Sequence, residues 1–300
     1  MRNCAKGLAL KRILKKAYAK INLHLDVTGK ADNGYHEVAT VMQSVSLCDE
    51  IEVSLSEGDT HSIVCSSPSV PLDSKNLAWR AADLFFDKCG IEDKADIKII
   101  KRIPVAAGLA GGSTDAAAVL SALNELCGEP LSEGELLSLG AKLGADVPFC
   151  IEGGTKYADR FGDVLHPFAD MPACYIVVAC GKEGVSTPWA YAMLDERYND
   201  FRGGAYTPRS ADTLERAVES GDVVLTCRNL YNIFESVIEP KRPEVTRIKS
   251  LLISFGADGA MMSGSGPSVF GIFRDKNAAV SALNELLEMG IDAFIAEPIG

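Results

Sequence analysis

Residues 104–118 read PVAAGLAGGSTDAAA, and this glycine-rich stretch carries the strongest indication of fold and function. Three glycines lead into a Ser-Thr pair, after which apolar residues recur at helical spacing. The pattern predicts a loop that enters the N-terminus of a helix, where free backbone N–H groups and the helix dipole favour an anion such as phosphate. On these residues alone, phosphate binding and a structural turn in which Ser113 only caps the helix remain equal alternatives.

The loop matches neither of the two commonest phosphate-binding motifs. The motif GxxxxGK(S/T) requires a lysine directly before the hydroxyl residue, where this chain has Gly112. The dinucleotide-binding motif GxGxxG requires a different glycine spacing directly after a strand, and Pro104 interrupts that approach. A nicotinamide-dependent oxidoreductase is therefore disfavoured.

Length and composition are those of a globular protein with a substantial core. The chain has 300 residues, of which 47% are hydrophobic and 24% charged, enough for one large or two ordinary domains. Its net charge of -11 argues against a general binder of nucleic acid or of anionic membranes. No apolar run approaches the length of a membrane-spanning helix, so none is expected, and the sequence leaves the oligomeric state open.

The cysteines and histidines form no metal-binding pattern. Nine cysteines lie mostly in apolar segments without a CxxC pair, which favours reduced thiols and a cytoplasmic location. The 4 histidines show no metal-ligand spacing, so a zinc site is not expected. Seven basic residues precede the first acidic residue, Asp26, and the segment 1–16 is interpreted as a short basic arm in preference to a signal or transit peptide.

Alternation over residues 17–27 predicts the first strand, with apolar side chains on one face. The other face carries Lys20, Asn22, His24 and Asp26. The pattern predicts a half-buried strand, and the simplest alternative makes this polar face ordinary solvated surface.

Capping signals predict two helices before the middle of the chain. The first begins at Ser74 or Asn76 and ends at Gly90. The second begins with the capping-box pattern of Ser132 and Glu135. It ends at Gly144, directly before the segment that contains Asp146.

The other elements predict a mixed α and β architecture with a domain boundary near residue 160. Strands are predicted over 38–47, 50–55, 97–103, 175–180, 259–262, 268–273 and 293–296. Helices are predicted over 211–220, 227–238, 244–255 and 276–289, and the segment 198–210 is predicted to be a loop.

Four segments, in this order and spacing, together resemble the GHMP small-molecule kinases. They read AYAKINLHLDVTGKADNGYHEVATVMQSVSLCDEI at 17–51, KRIPVAAGLAGGSTDAAA at 101–118, LGADVPFC at 143–150 and MMSGSGPSVFGIF at 261–273. The resemblance extends from about residue 17 to the C-terminus. The chain departs from the pattern at Ala106 and Ala107, where some members of the family carry glycine.

The resemblance implies an α+β, two-domain GHMP kinase fold. Residues 1–160 would form an N-terminal α/β domain like that of ribosomal protein S5, with the ATP loop and the catalytic residues. Residues 161–300 would form a ferredoxin-like α+β domain, with the active site in the cleft between the two.

The resemblance also implies ATP-dependent phosphorylation of an alcohol, with ATP and Mg²⁺ as cofactors. Lys20 and Asp146 would be the catalytic pair, with Asp146 kept ionised beside Lys20, and Ser113 would contact the metal. The implied nucleotide-binding residues are Asn76, Lys101, Pro104, Ala106, Ala107, Gly108, Leu109, Ala110, Gly111, Gly112, Ser113 and Thr114. The implied substrate-binding residues are Asn22, Tyr35, His36, Thr187, Tyr191, Gly264, Ser265 and Gly266.

The Gly-Tyr-His of 34–36 is similar to the branch of the family that phosphorylates a cytidine diphosphate-linked methylerythritol in isoprenoid biosynthesis. Two alternatives stay open. One is a kinase of the same family that acts on homoserine or a mevalonate-type alcohol. The other is a non-catalytic sugar or nucleotide sensor on the same fold, although such proteins usually lose a charge at the reacting centre and this chain keeps both Lys20 and Asp146.

Overall fold

The computed structural model describes residues 12–56, 60–201 and 206–300. Most of the basic arm and Cys4 lie outside these residues. The chain divides into two compact units. The first comprises the described part of Met1–Ala19 together with Cys48–Val105 and Ala110–Glu152, and the second comprises Lys20–Leu47, Ala106–Leu109 and Gly153–Gly300. The predicted boundary at residue 160 stays a prediction.

In the described residues, the elements follow one another in a mixed order. Strands are β1 (Arg12–Lys30), β2 (His36–Ser56), β3 (Ser62–Cys65), β4 (Lys94–Ile100), β5 (Thr155–Asp159), β6 (Val164–Pro167), β7 (Tyr175–Ala179), β8 (Tyr231–Asn232), β9 (Gly259–Met262), β10 (Val269–Phe273) and β11 (Ala293–Ala296). Helices are α1 (Leu77–Cys89), α2 (Gly111–Leu126), α3 (Glu133–Leu143), α4 (Asp146–Glu152), α5 (Thr187–Tyr198), α6 (Asp212–Glu219), α7 (Val223–Arg228), α8 (Glu235–Ile238), α9 (Pro243–Ser254) and α10 (Lys276–Glu288). None of these helices is long and apolar enough to cross a membrane.

The first unit packs four helices on a small sheet. Its strand order is β3-β4-β2-β1, and β4 pairs antiparallel with β2, from Glu50 opposite Ile100 to Ser56 opposite Lys94. Helix α2 is buried along most of its length among α1, α3 and α4. Its many alanines allow these helices to approach closely, and Phe85 of α1 fills the core beside them.

The second unit contains two sheets. In one, β2 pairs with β1 and with β5, β5 pairs with β6, and β8 runs parallel to β1, with His24 opposite Tyr231. The other is antiparallel with the order β11-β7-β10-β9, and α9 and α10 pack on it. Its central strand β10 is buried at every residue, as expected for a strand between two neighbours and under helices.

Strong local signals predicted several elements correctly. Helix α1 begins after the N-cap Asn76 and ends at Gly90, and α3 has the capping box of Ser132 and Glu135 and ends at Gly144. The predicted strands at 175–180, 259–262, 268–273 and 293–296 and the helices at 211–220, 244–255 and 276–289 are also present, within a residue or two at each end.

The prediction of a half-buried first strand is wrong, and so is the alternative in which its polar face is solvated surface. Lys20, Asn22, His24 and Asp26 have between 0% and 5% of their surface exposed, although β1 does form. Polar partners from other parts of the second unit cover this face, such as the hydroxyl of Tyr206, which donates to Asp26 over 2.6 Å. The alternation therefore marks a buried polar face.

Three other predictions need correction. The strands predicted at 38–47 and 50–55 are one strand, β2, because Asp49 stays in the strand and accepts from the backbone N–H of Ile103. The helix predicted at 227–238 is broken into α7, β8 and α8, since the side chain of Asn232 binds backbone groups of its own turn and of the 262–264 segment. Helix α5, which starts with Pro188 in its first turn, was not predicted.

Candidate active site

The segment 106–109 of the glycine loop is fixed within the second unit by its backbone. The carbonyl of Gly108 accepts from Oγ of Ser263 over 3.0 Å, and that of Leu109 accepts from the backbone N–H of Lys20 over 3.2 Å. Gly108 has a φ of 77°, and a Cβ there would collide with the carbonyl oxygen of Ser263 and lie 3.2 Å from that of Gly266. Glycine is therefore required at 108, where the loop meets the 263–266 turn.

The rest of the loop enters α2 in the first unit, as predicted. Helix α2 starts at Gly111, and its N-cap is Ala110, so the alternative in which Ser113 is the cap is wrong. Alanine has no side-chain acceptor for the N–H groups of the first turn, which are left for a ligand or solvent. Oγ1 of Thr114 donates to the carbonyl of Tyr18 over 2.8 Å and anchors the helix start to β1.

Two alanines of the loop adopt a backbone conformation that favours glycine. Ala106 has a φ of 56° and Ala110 a φ of 57°. A residue with a Cβ pays about 1–2 kcal/mol for the left-handed region. The departure from the family pattern at Ala106 thus keeps the glycine-like conformation and adds strain to the loop.

Lys101 lies in a buried cluster with two carboxylates of the first unit. Its Nζ donates to Asp49 over 2.6 Å and to Asp115 over 2.8 Å. Burial opposes the charge, but Asp115 and Asp49 outweigh it and raise the pKa of Lys101. Burial also raises the pKa of Asp115 to about 7, and only part of this rise is offset by Lys101. The cluster joins β2, the segment after β4 and α2.

Lys20, Asn22 and Gly264, all predicted site residues, meet in the second unit. Nζ of Lys20 donates to Oδ1 of Asn22 over 2.8 Å, and the same oxygen accepts from the backbone N–H of Gly264 over 3.0 Å. Nδ2 of Asn22 donates to Oγ1 of Thr40 over 2.9 Å. Sequence reasoning did not single out Thr40, because only the pairing of two distant strand positions shows its role.

The turn after β9 brings two more predicted residues together. The hydroxyls of Thr187 and Ser265 lie 2.9 Å apart. Nδ2 of Asn232 donates over 2.8 Å to the carbonyls of Met262 and Gly264, and these two hydrogen bonds fix the turn. Asn232 was missed because its sequence neighbourhood resembles a helix.

His36 and Tyr191 stack on each other in the second unit, with ring centroids 4.5 Å apart. Nε2 of His36 lies 2.6 Å from Oδ1 of Asp195, and Oδ2 of the same carboxylate accepts from Lys30 over 2.6 Å. Tyr35 is not part of this stack: its side chain is 68% exposed and its ring meets Phe161 edge-on. The Asp195 contact had no signal in the sequence, since it lies in the helix that was not predicted.

Asp146 and Asn76 lie at helix starts in the first unit. Asp146 opens α4, and a Cβ on Gly144, two residues earlier, would lie 4.0 Å from Oγ of Ser113. Asn76 caps α1: its Oδ1 accepts from the N–H of Ala78 over 2.9 Å. Because Lys20 and Asp146 belong to different units, their predicted pairing stays a prediction.

Comparison with known proteins identifies the family. The sequence matches "GHMP kinases N terminal domain" over residues 76–154 and "GHMP kinases C terminal" over residues 204–292. It is 41% identical, over 97% of this chain and 100% of the relative, to a 4-diphosphocytidyl-2-C-methyl-D-erythritol kinase of Acetivibrio thermocellus. It is 42% identical to a kinase of the same name from Gloeobacter violaceus, over 96% of this chain and 95% of the relative.

Solved structures agree with this result. A crystal structure of 4-(cytidine 5'-diphospho)-2C-methyl-D-erythritol kinase superimposes with a TM-score of 0.79 and 31% identity, over 96% of this chain and 100% of the other. Homoserine kinase from Cytophaga hutchinsonii shares the fold, with a TM-score of 0.72 and 20% identity over 97% of this chain and 96% of the other. The predicted α+β, two-domain GHMP kinase fold is thus confirmed. The chain belongs to the GHMP kinase family and is an ATP-dependent small-molecule kinase.

Proposed function

We propose that this kinase transfers the γ-phosphoryl group of ATP to the 2-hydroxyl of 4-diphosphocytidyl-2-C-methyl-D-erythritol. The observation that carries the proposal is similarity over nearly the whole chain to kinases of that name, at 41% and 42% identity. The product would be the 2-phosphate of the acceptor, an intermediate of isoprenoid precursor synthesis by the non-mevalonate route.

Lys20 and Asp146 are assigned to the reacting hydroxyl. Phosphoryl transfer needs an aligned acceptor and neutralised charge and little covalent help from the protein. The Lys20 ammonium, held by Asn22 on the buried face of β1, would stabilise the negative charge of the transferred group. The Asp146 carboxylate would orient the hydroxyl and accept its proton late in the transfer.

The glycine loop is assigned to the phosphates of ATP. Gly108 has no side chain that would obstruct access to its backbone. The amides of Gly111 and Gly112 in the first turn of α2 suit anionic oxygens. Asn76 and Lys101 are assigned to the adenosine side of this site. The Nζ of Lys101 donates to Asp115 at the start of α2, so Lys101 would act there from the buried cluster.

The residues near Ser113 fit a magnesium ion brought by the nucleotide. Mg²⁺ prefers oxygen ligands and is commonly held by one or two protein groups together with phosphates. The Ser113 hydroxyl is the assigned protein ligand, and it lies near Gly144, two residues before Asp146, in the first unit. In the described residues, no group of three or more His, Cys, Asp and Glu side chains could hold a metal by itself. The ion would neutralise charge on the phosphates.

The cytidine is assigned to the surroundings of His36 and Tyr191, with Tyr35, Thr187 and the 264–266 turn as further contacts. The contact with Asp195 supports a fixed orientation of the His36 ring, because a carboxylate accepts the N–H at Nε2. The other ring nitrogen would then be free of that constraint and could read the pyrimidine edge. A pyrimidine offers one aromatic face and a few polar edge atoms, which such a site can bind.

We also propose that the enzyme works in the cytoplasm on small molecules and binds neither nucleic acid nor membranes. The net charge of -11 supports the second part. Cys48, Cys65, Cys174, Cys180 and Cys227 are free thiols, as expected in a reducing compartment.

The test is phosphorylation of 4-diphosphocytidyl-2-C-methyl-D-erythritol by the purified protein with ATP and Mg²⁺, with homoserine and mevalonate as control acceptors. We expect turnover of the cytidine compound alone. Asp146→Asn should retain the fold and ATP binding and lower kcat by about 10²–10⁴, the usual range for a positioned acid–base group. Turnover of a control alcohol instead would reassign the acceptor, and ATP binding without turnover of any alcohol would indicate a sensor.

A further inference from the structure

Thr40 is a buried residue of β2 whose hydroxyl contacts the polar face of β1. The hydroxyl donates to the carbonyl oxygen of His24 over 2.8 Å and accepts from Nδ2 of Asn22 over 2.9 Å. A hydroxyl has one proton to donate, and here that proton is used on a backbone oxygen. The Thr40 oxygen therefore faces Asn22 as an acceptor.

The partners of the Asn22 carbonyl oxygen also fix the orientation of the amide. Its Oδ1 accepts from Nζ of Lys20 over 2.8 Å and from the backbone N–H of Gly264 over 3.0 Å. An ammonium and a backbone N–H can only donate. If the amide were flipped, donors would meet donors at Lys20 and Gly264, and an acceptor would meet an acceptor at Thr40. The network allows one orientation of Asn22.

We propose that Thr40 is a positioning residue for phosphoryl transfer, which holds the Lys20 ammonium in place through the amide of Asn22. The inference rests on the proposed function, which gives Lys20 its role at the reacting hydroxyl. Valine at 40 would keep the shape of the side chain but leave the Asn22 NH₂ and the His24 carbonyl buried without this partner. The amide would then turn to find other partners, and Lys20 would lose the Asn22 oxygen as an acceptor.

A small displacement of Lys20 matters because the reaction depends on placement. A misplacement of about 1 Å can cost on the order of 100-fold in rate. Binding of ATP should change little, since the proposed phosphate contacts are backbone groups of the loop and of α2. The expected signature of Thr40 is a loss in kcat with a nearly constant KM for ATP.

The experiment compares Thr40→Val, Thr40→Ser and Thr155→Val. Thr155 is the matched control: it is a buried strand threonine of the same sheet, and its hydroxyl binds Gln43 and not Asn22. We expect Thr40→Val to lower kcat by about 10–100-fold and to change the KM for ATP less than about threefold. Thr40→Ser, which keeps the hydroxyl, should stay within about fivefold of wild type, and Thr155→Val should retain normal kcat in the folded fraction.

Two further measurements separate positioning from plain destabilisation. In a Lys20→Met background, Thr40→Val should lower kcat by less than about twofold, because residues that act through one another are not additive. The side-chain NMR signal of Lys20, assigned by its loss in Lys20→Met, should shift in Thr40→Val and stay in place in Thr155→Val. This signal needs no turnover, so it tests the inference even if the proposed acceptor is wrong.

The proposal is overturned if Thr40→Val has normal kcat on an acceptor that wild type turns over. It is also overturned if Thr40→Val and Thr155→Val lose activity equally, or if the Lys20 signal does not move in Thr40→Val. Absence of turnover of the cytidine compound by wild type would instead contradict the proposed function.

Discussion

Helices α1 and α2, both in the first unit, differ in how the free backbone N–H groups of their first turns are treated. Helix α1 has a side-chain cap: Asn76 has an extended backbone, and its Oδ1 accepts from the N–H of Ala78 over 2.9 Å. Helix α2 begins after Ala110, which has a left-handed backbone and no side-chain acceptor. A side-chain cap satisfies one of the free N–H groups of a first turn, whereas an uncapped turn leaves them all for a ligand or solvent. The start of α1 is thus stabilised by a side chain, and the start of α2 has the free N–H groups that the proposed phosphate site needs.

The start of α2 is held from its buried side instead. Thr114 donates to the carbonyl of Tyr18, and Asp115 contacts Lys101, which also contacts Asp49. These contacts fix the position of the helix without occupying its first-turn N–H groups. The contacts on the buried side of α2, together with its uncapped first turn, favour a rigid phosphate site, since a preorganised site loses little entropy on binding.

The largest effect is expected from a side chain at the uncapped start. At Gly111 a Cβ would lie 3.0 Å from Nζ of Lys101 and 3.1 Å from Cγ2 of Ile103, so the branches of valine should push the first turn of α2 away from its place. Crowding is the reason, because Gly111 is not among the residues with positive φ. Gly111→Val should raise the Kd for ATP, measured by calorimetry, about 10–100-fold, the scale of losing one charge-assisted hydrogen bond of about 1.5–3 kcal/mol.

The matched control is Gly134→Val. Gly134 lies in the first turn of the capped helix α3, and a Cβ there has nothing within 4 Å. This variant should bind ATP as wild type does. If Gly111→Val bound ATP normally, the loop would be only a structural turn, and the contrast between α1 and α2 would lose its functional meaning.

A smaller effect is expected from the buried anchor of α2, and it depends on pH. Burial raises the pKa of the Asp115 carboxyl from its ordinary value of 3.8, which applies to the unfolded chain, to about 7 in the folded chain. The folded state thus binds the proton more tightly, so the free energy of unfolding falls as pH rises from about 4 to about 7. Asn at position 115 cannot ionise, so Asp115→Asn lacks this pH-dependent loss of stability and should be more stable than wild type at pH 8.

Denaturant unfolding at pH 5 and pH 8 measures this effect. The advantage of Asp115→Asn over wild type should be larger at the higher pH. Asp87→Asn replaces an exposed aspartate of α1 and is the matched control. An advantage of Asp115→Asn that is the same at both pH values would show that Asp115 stays ionised and that the anchor is an ordinary ion pair.

The two helix starts also show what the sequence could predict. The cap of α1 and the capping box of α3 depend on residues at most three positions apart, and both were predicted. The loop that enters α2 was predicted for the same reason. The anchor of α2 was not, because Asp49 and Lys101 are 52 positions apart and only the strand pairing brings them together.

The second unit gives the same lesson on the site itself. The motif residues Lys20, Asn22 and Gly264 were predicted as members of one site, and the structure brings them into contact. The contact between His36 and Asp195 spans 159 positions and had no local signal. Alternation on β1 predicted the polar face correctly but not its burial, because a local pattern does not show what covers a strand. The residues assigned to binding were visible in motifs, and their distant contacts were not.

The smallest effect is expected from substitutions at Asn76, which distinguish its two assigned roles as the cap of α1 and as a neighbour of the adenosine. Oδ1 provides the cap, and Nδ2 donates to the carbonyl of Pro71 over 2.8 Å. Asn76→Ala should lower the free energy of unfolding by about 1 kcal/mol, because it removes the cap. Asn76→Asp keeps an oxygen for the N–H of Ala78, but it loses the donor to Pro71 and has no amide N–H for the nucleotide. It should therefore raise the KM for ATP by roughly fivefold, equivalent to one neutral hydrogen bond of about 1 kcal/mol. Unfolding curves and ATP kinetics of both variants decide the matter: a normal KM in Asn76→Asp would make Asn76 a cap alone, and the start of α1 would then play no part in binding ATP.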